Sequence, residues 1–450
     1  MASKQRKTRK RAPTSGKPGT QASHAGVGSD ASILRDAGRY LMNTYRRPPI
    51  IFVRGAGSYV YDHRGRKYLD FLGGIAVNAL GYAHPRLVRV MRREAGRAVH
   101  VSNLFHHRFQ GPLARKLAVW SGMDRVFFTN SGTEAIEGAL KLARIAAQKR
   151  GTPGKTTDKT RILAIEGSFH GRTFGALSIT HPSKYRDPFA PLVPGVEFVR
   201  FNDVADLEAK FDDSVCAIVL EAIQGEGGIF PLSGAFWARA RELASRYGAA
   251  LIADEIQCGL GRTGQPFAYQ RHAGGPDIVV VAKSLAGGLP LGAMLAREEF
   301  AEAFSPGLHG STFGGGPLAC ATALEFLNTV EEEDLLNNVR ERGAQLQAGL
   351  ARLAEQFDFI GEIRCEGLMI GVDLAVEGRD YVDAALQRGL IINCTHDHIL
   401  RLLPPFIVTK RQVEDFLARF GAVLRETKRP ASIAPKPVEA AAPRLFVASR

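Results

Sequence analysis

The stretch AALIADEIQCGLGRTG (249–264), followed shortly by IVVVAKSLAGGLP (278–290), decides how this chain is built. Each opens on a short, unbroken apolar run, 249–253 and 278–282. Each run ends on a residue able to do chemistry: Asp254-Glu255 in the first and Lys283 in the second. Unbroken rather than alternating apolar runs of this length suit strands of a parallel sheet buried on both faces. The carboxyl ends of such strands are where open α/β sheets bind ligands.

Working outward, similar runs stand at 126–129, 162–165 and 216–220, with helical spacing in the segments from 134 and across 235–247. A helix over 85–97 carries Pro85 at its first turn, a position that tolerates proline. Nearer the start, Ser29 or Asp30 caps a helix through Ile33, Leu34, Ala37, Tyr40 and Leu41, and 59–61 with 68–71 read as a hairpin. From 317 to about 424 helices dominate, broken by apolar runs at 369–374 and 400–403. The expected organisation is a basic tail (1–29), an N-terminal segment of a small domain (30–75), a large domain (76–320), the rest of the small domain (321–425) and a flexible tail (426–450).

Composition narrows the function classes. The net charge of +14 suggests nucleic acid or a membrane surface, but residues 1–29 hold Lys4, Arg6, Lys7, Arg9, Lys10, Arg11 and Lys17 and no acid. Half of the excess thus sits in a tail too poor in large apolar residues to fold, and the rest of the chain is only mildly basic. Neither nucleic acid nor membrane is expected as a partner. The tail lacks the apolar core of a secretory signal and the amphipathic face of a transit peptide. Five scattered cysteines without C-x-x-C fit free thiols in a reducing compartment, so the cytoplasm is the expected location.

Two motifs mislead. GTPGKT (151–156) resembles a phosphate loop, but position 149 is Lys rather than Gly and a helix precedes it, so it reads as a surface loop. GLGRTG (259–264) satisfies G-x-G-x-x-G, yet Gln265-Pro266-Phe267 starts no amphipathic helix and the dinucleotide reading is weak. His106-His107 and His396-x-His398 lack a helical i, i+4 pair and a third ligand for a metal.

Four features taken together carry chemistry. Lys283 stands at a strand mouth, where partial desolvation suits an amine nucleophile. Asp254-Glu255 supplies carboxylates at a neighbouring mouth. Asn130-Ser131-Gly132-Thr133-Glu134 leads from a strand into a helix, a start that binds phosphate, although Ser131-x-x-Glu134 also reads as a capping box. Phe169-His170-Gly171-Arg172 adds a ring and a fixed cation. Pyridoxal phosphate needs a Schiff-base lysine, a carboxylate for its ring nitrogen, a phosphate cradle and a stacking ring.

Ordered motifs extend the pattern: LMNTY (41–45), YLDFLGGIAVN (68–78), HVSNLF (100–105), FFTNSGTEA (127–135), FHGRTFGALS (169–178), IQGEGG (223–228), HGSTFGG (309–315) and RLLPP (401–405). Over about 31–425 the chain closely resembles the class-III, fold-type-I aminotransferases, nearest to their acetylornithine branch. The resemblance implies an α/β fold-type-I transferase, its large domain a mostly parallel sheet flanked by helices, with a smaller α+β domain. It implies pyridoxal 5′-phosphate held by Lys283, which also moves the proton. Asp254 would meet the ring nitrogen and Gln257 the 3′ oxygen, with Glu255 and Ile256 beside them. Gly132 and Thr133 would bind the phosphate, and Phe169 would stack on the ring. Thr312 would reach the phosphate of a partner subunit with Ser311 at the substrate, making a homodimer with shared sites. Arg172 and Tyr45 would hold the far end of the substrate, while Glu226 and Arg401 would form a switch for the near carboxylate. Ala222, Gly316 and His106-His107 depart from the family pattern. The implied reaction moves the δ-amino group of N2-acetyl-L-ornithine to 2-oxoglutarate. Succinyl-diaminopimelate, succinylornithine, ornithine and 4-aminobutyrate remain alternative donors.

Overall fold

The computed structural model describes residues 28–150 and 159–427; the 151–156 loop and most of both tails lie outside them. The described residues divide between a short N-terminal unit ending at Phe52 and a main unit beginning at Val53. In the first, the helix Asp30–Tyr40 starts where expected, with Ser29 Oγ accepting the Ser32 N–H.

The strands follow in chain order. β1 (Phe52–Ala56), β2 (Tyr59–Asp62) and β3 (Lys67–Asp70) come first. β4 (Arg125–Thr129), β5 (Arg161–Ile165), β6 (Val196–Val199) and β7 (Val215–Leu220) lead to a short hairpin, β8 (Ile223–Gln224) and β9 (Phe230–Pro231). β10 (Ala250–Asp254), β11 (Ile278–Val281) and β12 (Gly292–Ala296) complete the central run. β13 (Ile360–Glu366), β14 (Met369–Leu374), β15 (Leu390–Ile391), β16 (Asn393–Thr395) and β17 (Ile399–Leu402) lie in the C-terminal third.

The central sheet has seven strands in the order β4-β12-β11-β10-β7-β5-β6. Only β12 runs against the others. Side chains alternate across the pleat, and both faces are buried. Leu163, Ile218, Leu251, Val279 and Leu295 point into one core, and Ile162, Ala217, Ile252, Val280 and Met294 into the other. The helix Gly132–Arg150 covers the second face with Ile136, Ala139 and Ala143. The helix Gly234–Tyr247, capped by Ser233 and closed by left-handed Gly248, covers the first with Phe236, Trp237 and Leu243. Such two-sided burial explains why the strands read as unbroken apolar runs.

Two smaller sheets flank the centre. One is antiparallel, in the order β13-β14-β17-β16. The other pairs β15 in parallel with β3, so residues near 390 complete a sheet begun near 52. Among the described residues no helix is long and apolar enough to cross a membrane, no cluster of His, Cys, Asp and Glu is arranged to hold a metal, and all five cysteines are free.

Candidate active site

The carboxyl ends of β4, β5, β7, β10 and β11 open on one cavity of 460 Å³. It collects Asn130 to Thr133 after β4, Phe169 to Arg172 after β5, Glu221 and Glu226 after β7, and Asp254, Ile256 and Gln257 from β10 onward. Ala282 and Lys283 arrive after β11. Of the residues singled out in the sequence, Gly132, Thr133, Phe169, Arg172, Glu226, Asp254, Ile256, Gln257 and Lys283 all line this cavity.

Lys283 adopts φ 43°, a left-handed backbone rarely taken by a non-glycine residue. Strain of this kind persists where the surroundings over-determine it, often at functional sites. Burial pushes its ammonium below the ordinary lysine value, against the opposing pull of Glu226 and Asp254. Asp254, buried at the end of β10, receives the Ile256 N–H on Oδ1 (3.0 Å) and faces His170 Nδ1 with Oδ2 at 2.7 Å. His170 Nε2 is buried with no hydrogen-bond partner among the described residues.

At the start of the helix Gly132–Arg150, both readings of the sequence coexist. Ser131 Oγ accepts the Glu134 N–H at 3.3 Å and the Glu134 carboxylate accepts the Asn130 N–H at 2.8 Å, while Ser131, Gly132 and Thr133 face the cavity. The backbone there is tightly enclosed. A Cβ on Gly132 would meet Ile256 Cδ1 at 2.7 Å, and one on Gly171, at φ +139°, would meet Thr133 Oγ1 at 2.3 Å.

Arg401, on β17, is 1% exposed. Its Nη1 donates to Glu226 Oε1 at 2.6 Å and to Gln257 Oε1 at 3.1 Å. Burial alone would raise the Glu226 carboxyl, but Arg401, Lys283 and Gln257 together hold it below the usual glutamate value. Arg172 makes no ion pair among the described residues; its guanidinium lies 4.0 Å over the Tyr185 ring and 5.4 Å from the Phe169 ring.

Four expected residues lie elsewhere. Glu255 is corrected: its side chain points away from the cavity and accepts the Ala268 and Tyr269 N–H groups at 2.9 and 2.7 Å. It follows Asp254 directly, and successive side chains at a strand end face opposite ways. Thr312 is exposed in a separate cleft with His100 to Asn103. Ser311 Oγ receives Asn130 Nδ2 at 3.3 Å. Tyr45 belongs to the N-terminal unit, where Arg47 sits 5.1 Å over its ring.

Residues 40–424 match the family model described as Aminotransferase class-III. The chain belongs to the class-III aminotransferases. An acetylornithine aminotransferase of Aquifex aeolicus is 44% identical over 86% of this chain and 99% of its own length. Among solved structures, the ornithine aminotransferase of Toxoplasma gondii ME49 superposes with a TM-score of 0.84 at 33% identity, covering 89% of this chain and 96% of its own. The N-acetylornithine aminotransferase of Stenotrophomonas maltophilia K279a gives 0.75 at 35%, covering 87% and 98%.

Class-III aminotransferases depend on pyridoxal phosphate, and so does this transaminase. The residues fit that group: an amine with a depressed pKa, the buried Asp254 carboxylate at a neighbouring strand end, an aromatic ring, and a helix start at Gly132 which, like Gly171 in the loop beside it, leaves no room for a Cβ. His170 and Glu221 were missed by the sequence reading. Glu221 follows the apolar run 216–220 directly, so the rule that singled out Asp254 would have found it.

Proposed function

We propose that this class-III aminotransferase moves the δ-amino group of N2-acetyl-L-ornithine to 2-oxoglutarate, giving N-acetylglutamate semialdehyde and glutamate, in the biosynthesis of arginine. The observation that carries the reading is the 2.6 Å pair between buried Arg401 and Glu226, which lines the same cavity as Lys283. The donor must put its δ-amine at Lys283 with its α-carboxylate far away, whereas 2-oxoglutarate must put its keto carbon there with a carboxylate close by. Arg172 serves the distant carboxylate in both cases, its charge unclaimed by any acid among the described residues. Arg401 serves the near one. An uncovered Arg401 would draw in the donor's α-carboxylate and present the wrong amine, so Glu226 masks it and exchanges with 2-oxoglutarate. The pair is a single charged hydrogen bond, strong enough to mask the guanidinium yet exchangeable for a carboxylate that engages it through two.

Lys283 would hold pyridoxal phosphate, Asp254 would meet its ring nitrogen and Gln257 its 3′ oxygen, Gly132 and Thr133 its phosphate, with Phe169 and Ile256 against the ring. When bound, the group supplies an electron sink for the pair left behind as a proton leaves the carbon bearing nitrogen. Lys283 moves that proton, and its depressed pKa keeps a larger share of the amine neutral and able to accept it. His170 at Asp254 Oδ2 fixes the carboxylate's orientation.

The working unit is proposed to be a cytoplasmic homodimer. The loops at 100–107 and 311–317 pack together through Asn103, whose Nδ2 donates to Ser311 O and Gly314 O, yet they leave Leu104, Phe105 and Phe313 exposed. An apolar group of this kind beside exposed Thr312 suits a second copy of the chain presenting Ser311 and Thr312 to its neighbour's site. A panel of amino donors against 2-oxoglutarate tests the substrate: acetylornithine should give the highest kcat/KM. A preference for ornithine, succinylornithine, succinyl-diaminopimelate or 4-aminobutyrate would overturn the assignment.

A further inference from the structure

Glu221 stands one residue past β7 in the cavity wall and is almost wholly buried. Both of its oxygens are engaged by backbone amides of other segments. Oε1 accepts the Phe169 N–H at 3.0 Å, and Oε2 accepts the Gly225 N–H at 2.9 Å. Phe169 belongs to the loop after β5 that brings a ring to the cavity. Gly225 opens the turn between β8 and β9; its carbonyl faces Arg401 Nη1 at 3.4 Å, and Glu226 is the next residue. A single carboxylate therefore joins the loop that carries the ring to the turn that carries the Glu226–Arg401 pair. Hydrogen bonds to an ionised acceptor are shorter and stronger than neutral ones. Burial pushes the Glu221 carboxyl up to about 7, with His170 and the two amides pulling it down and Asp254 adding to the rise.

We propose that Glu221 is a positioning residue that couples the ring-bearing loop to the Glu226–Arg401 switch, so that the cofactor site and the substrate switch hold their geometry together. The inference rests on the transaminase reading, in which Phe169 stacks on the cofactor and Glu226 exchanges with 2-oxoglutarate. Glu221 acts through two backbone amides and not on the reacting atoms. A glutamine in its place keeps one carbonyl acceptor but turns an NH₂ toward the other N–H donor, so one segment stays held and the other is released.

The test uses full-length Glu221→Gln, with cofactor affinity read by absorbance titration of the apo form and each half-reaction read by single turnover of the loaded form. Cofactor affinity should fall about tenfold, the scale of one lost hydrogen bond to a charged acceptor. The ratio of glutamate to acetylornithine half-reaction rates should change several-fold, with Tm within a few degrees of wild type. Glu226→Ala should move the ratio and leave cofactor affinity alone. Adding Glu221→Gln to it should then move the ratio little further, a non-additivity expected of coupled groups. If Glu221→Gln fails to fold, Glu221→Asp, which keeps the charge but is too short to span both amides, takes its place with the same readouts. Unchanged affinity with an unchanged ratio, or a fall in Tm alone, would overturn the coupling. If Glu226→Ala itself leaves the ratio unmoved, the switch reading fails, and the cofactor titration of the Glu221 variant still judges the link to Phe169.

Discussion

Lys283 concentrates the chemistry because one amine has to be both anchor and proton carrier. Its strained φ of 43° and depressed pKa follow from its place, where β11 ends over a buried cavity rather than in water. Lys283→Ala should keep binding the cofactor without covalent attachment yet lose transamination by at least the 10²–10⁴-fold, roughly, that a positioned proton shuttle supplies. Steady-state rates and the loss of a borohydride-reducible chromophore check this, and near-normal turnover would remove the lysine from its role. Arg401 is a different case, since its buried guanidinium relies on Glu226 and Gln257 to accept its N–H donors. Arg401→Ala should slow the 2-oxoglutarate half-reaction about 10–100-fold, the worth of a charged hydrogen bond, and spare the acetylornithine half by comparison. Arg172→Ala should damage both.

Among the elements, the strand ends were the legible part of this site. Asp254 and Lys283 directly follow unbroken apolar runs, so their exposure to a ligand could be read from sequence alone. The direction of Glu255 could not, because it depends on which face of the pleat its neighbour takes. Its carboxyl, buried against the Ala268 and Tyr269 amides, is pushed up to about 7. The folded state therefore keeps its proton where the unfolded chain has lost it, and the stability this contributes is fully present below about pH 4.5 and fades as pH rises through about 7. Glu255→Gln should lack that dependence, so the Tm advantage of wild type over the variant should shrink across this window. A constant difference would contradict the buried, protonated reading. The loop after β5 offers a second check. Gly171→Ala forces a Cβ onto Thr133 Oγ1 at φ +139°, and strain of about 1–3 kcal/mol should appear as weaker cofactor affinity in the absorbance titration.

At the scale of the whole molecule, residues far apart in sequence become one site, and here local patterns give little help. Glu226 and Arg401 are 175 positions apart, and no period or spacing links them; only family resemblance paired them in advance. The split of β3 and β15 across more than 300 residues was equally hidden, because two-residue β15 carries no strand signal of its own. The central sheet, by contrast, was legible because burial on both faces writes itself into composition. Thr312 raises the scale once more. It is exposed and away from its own chain's cavity, so Thr312→Ala should weaken cofactor affinity only if a partner copy uses it, and sedimentation should show a dimer. Everything in this site turns on whether Glu226 decides which carboxylate Arg401 meets. Single-turnover rates of both half-reactions, measured for wild type and Glu226→Ala, test it most directly. In the variant, α-amine transfer from glutamate should rise relative to δ-amine transfer from acetylornithine; an unchanged ratio of the two rates would contradict the switch.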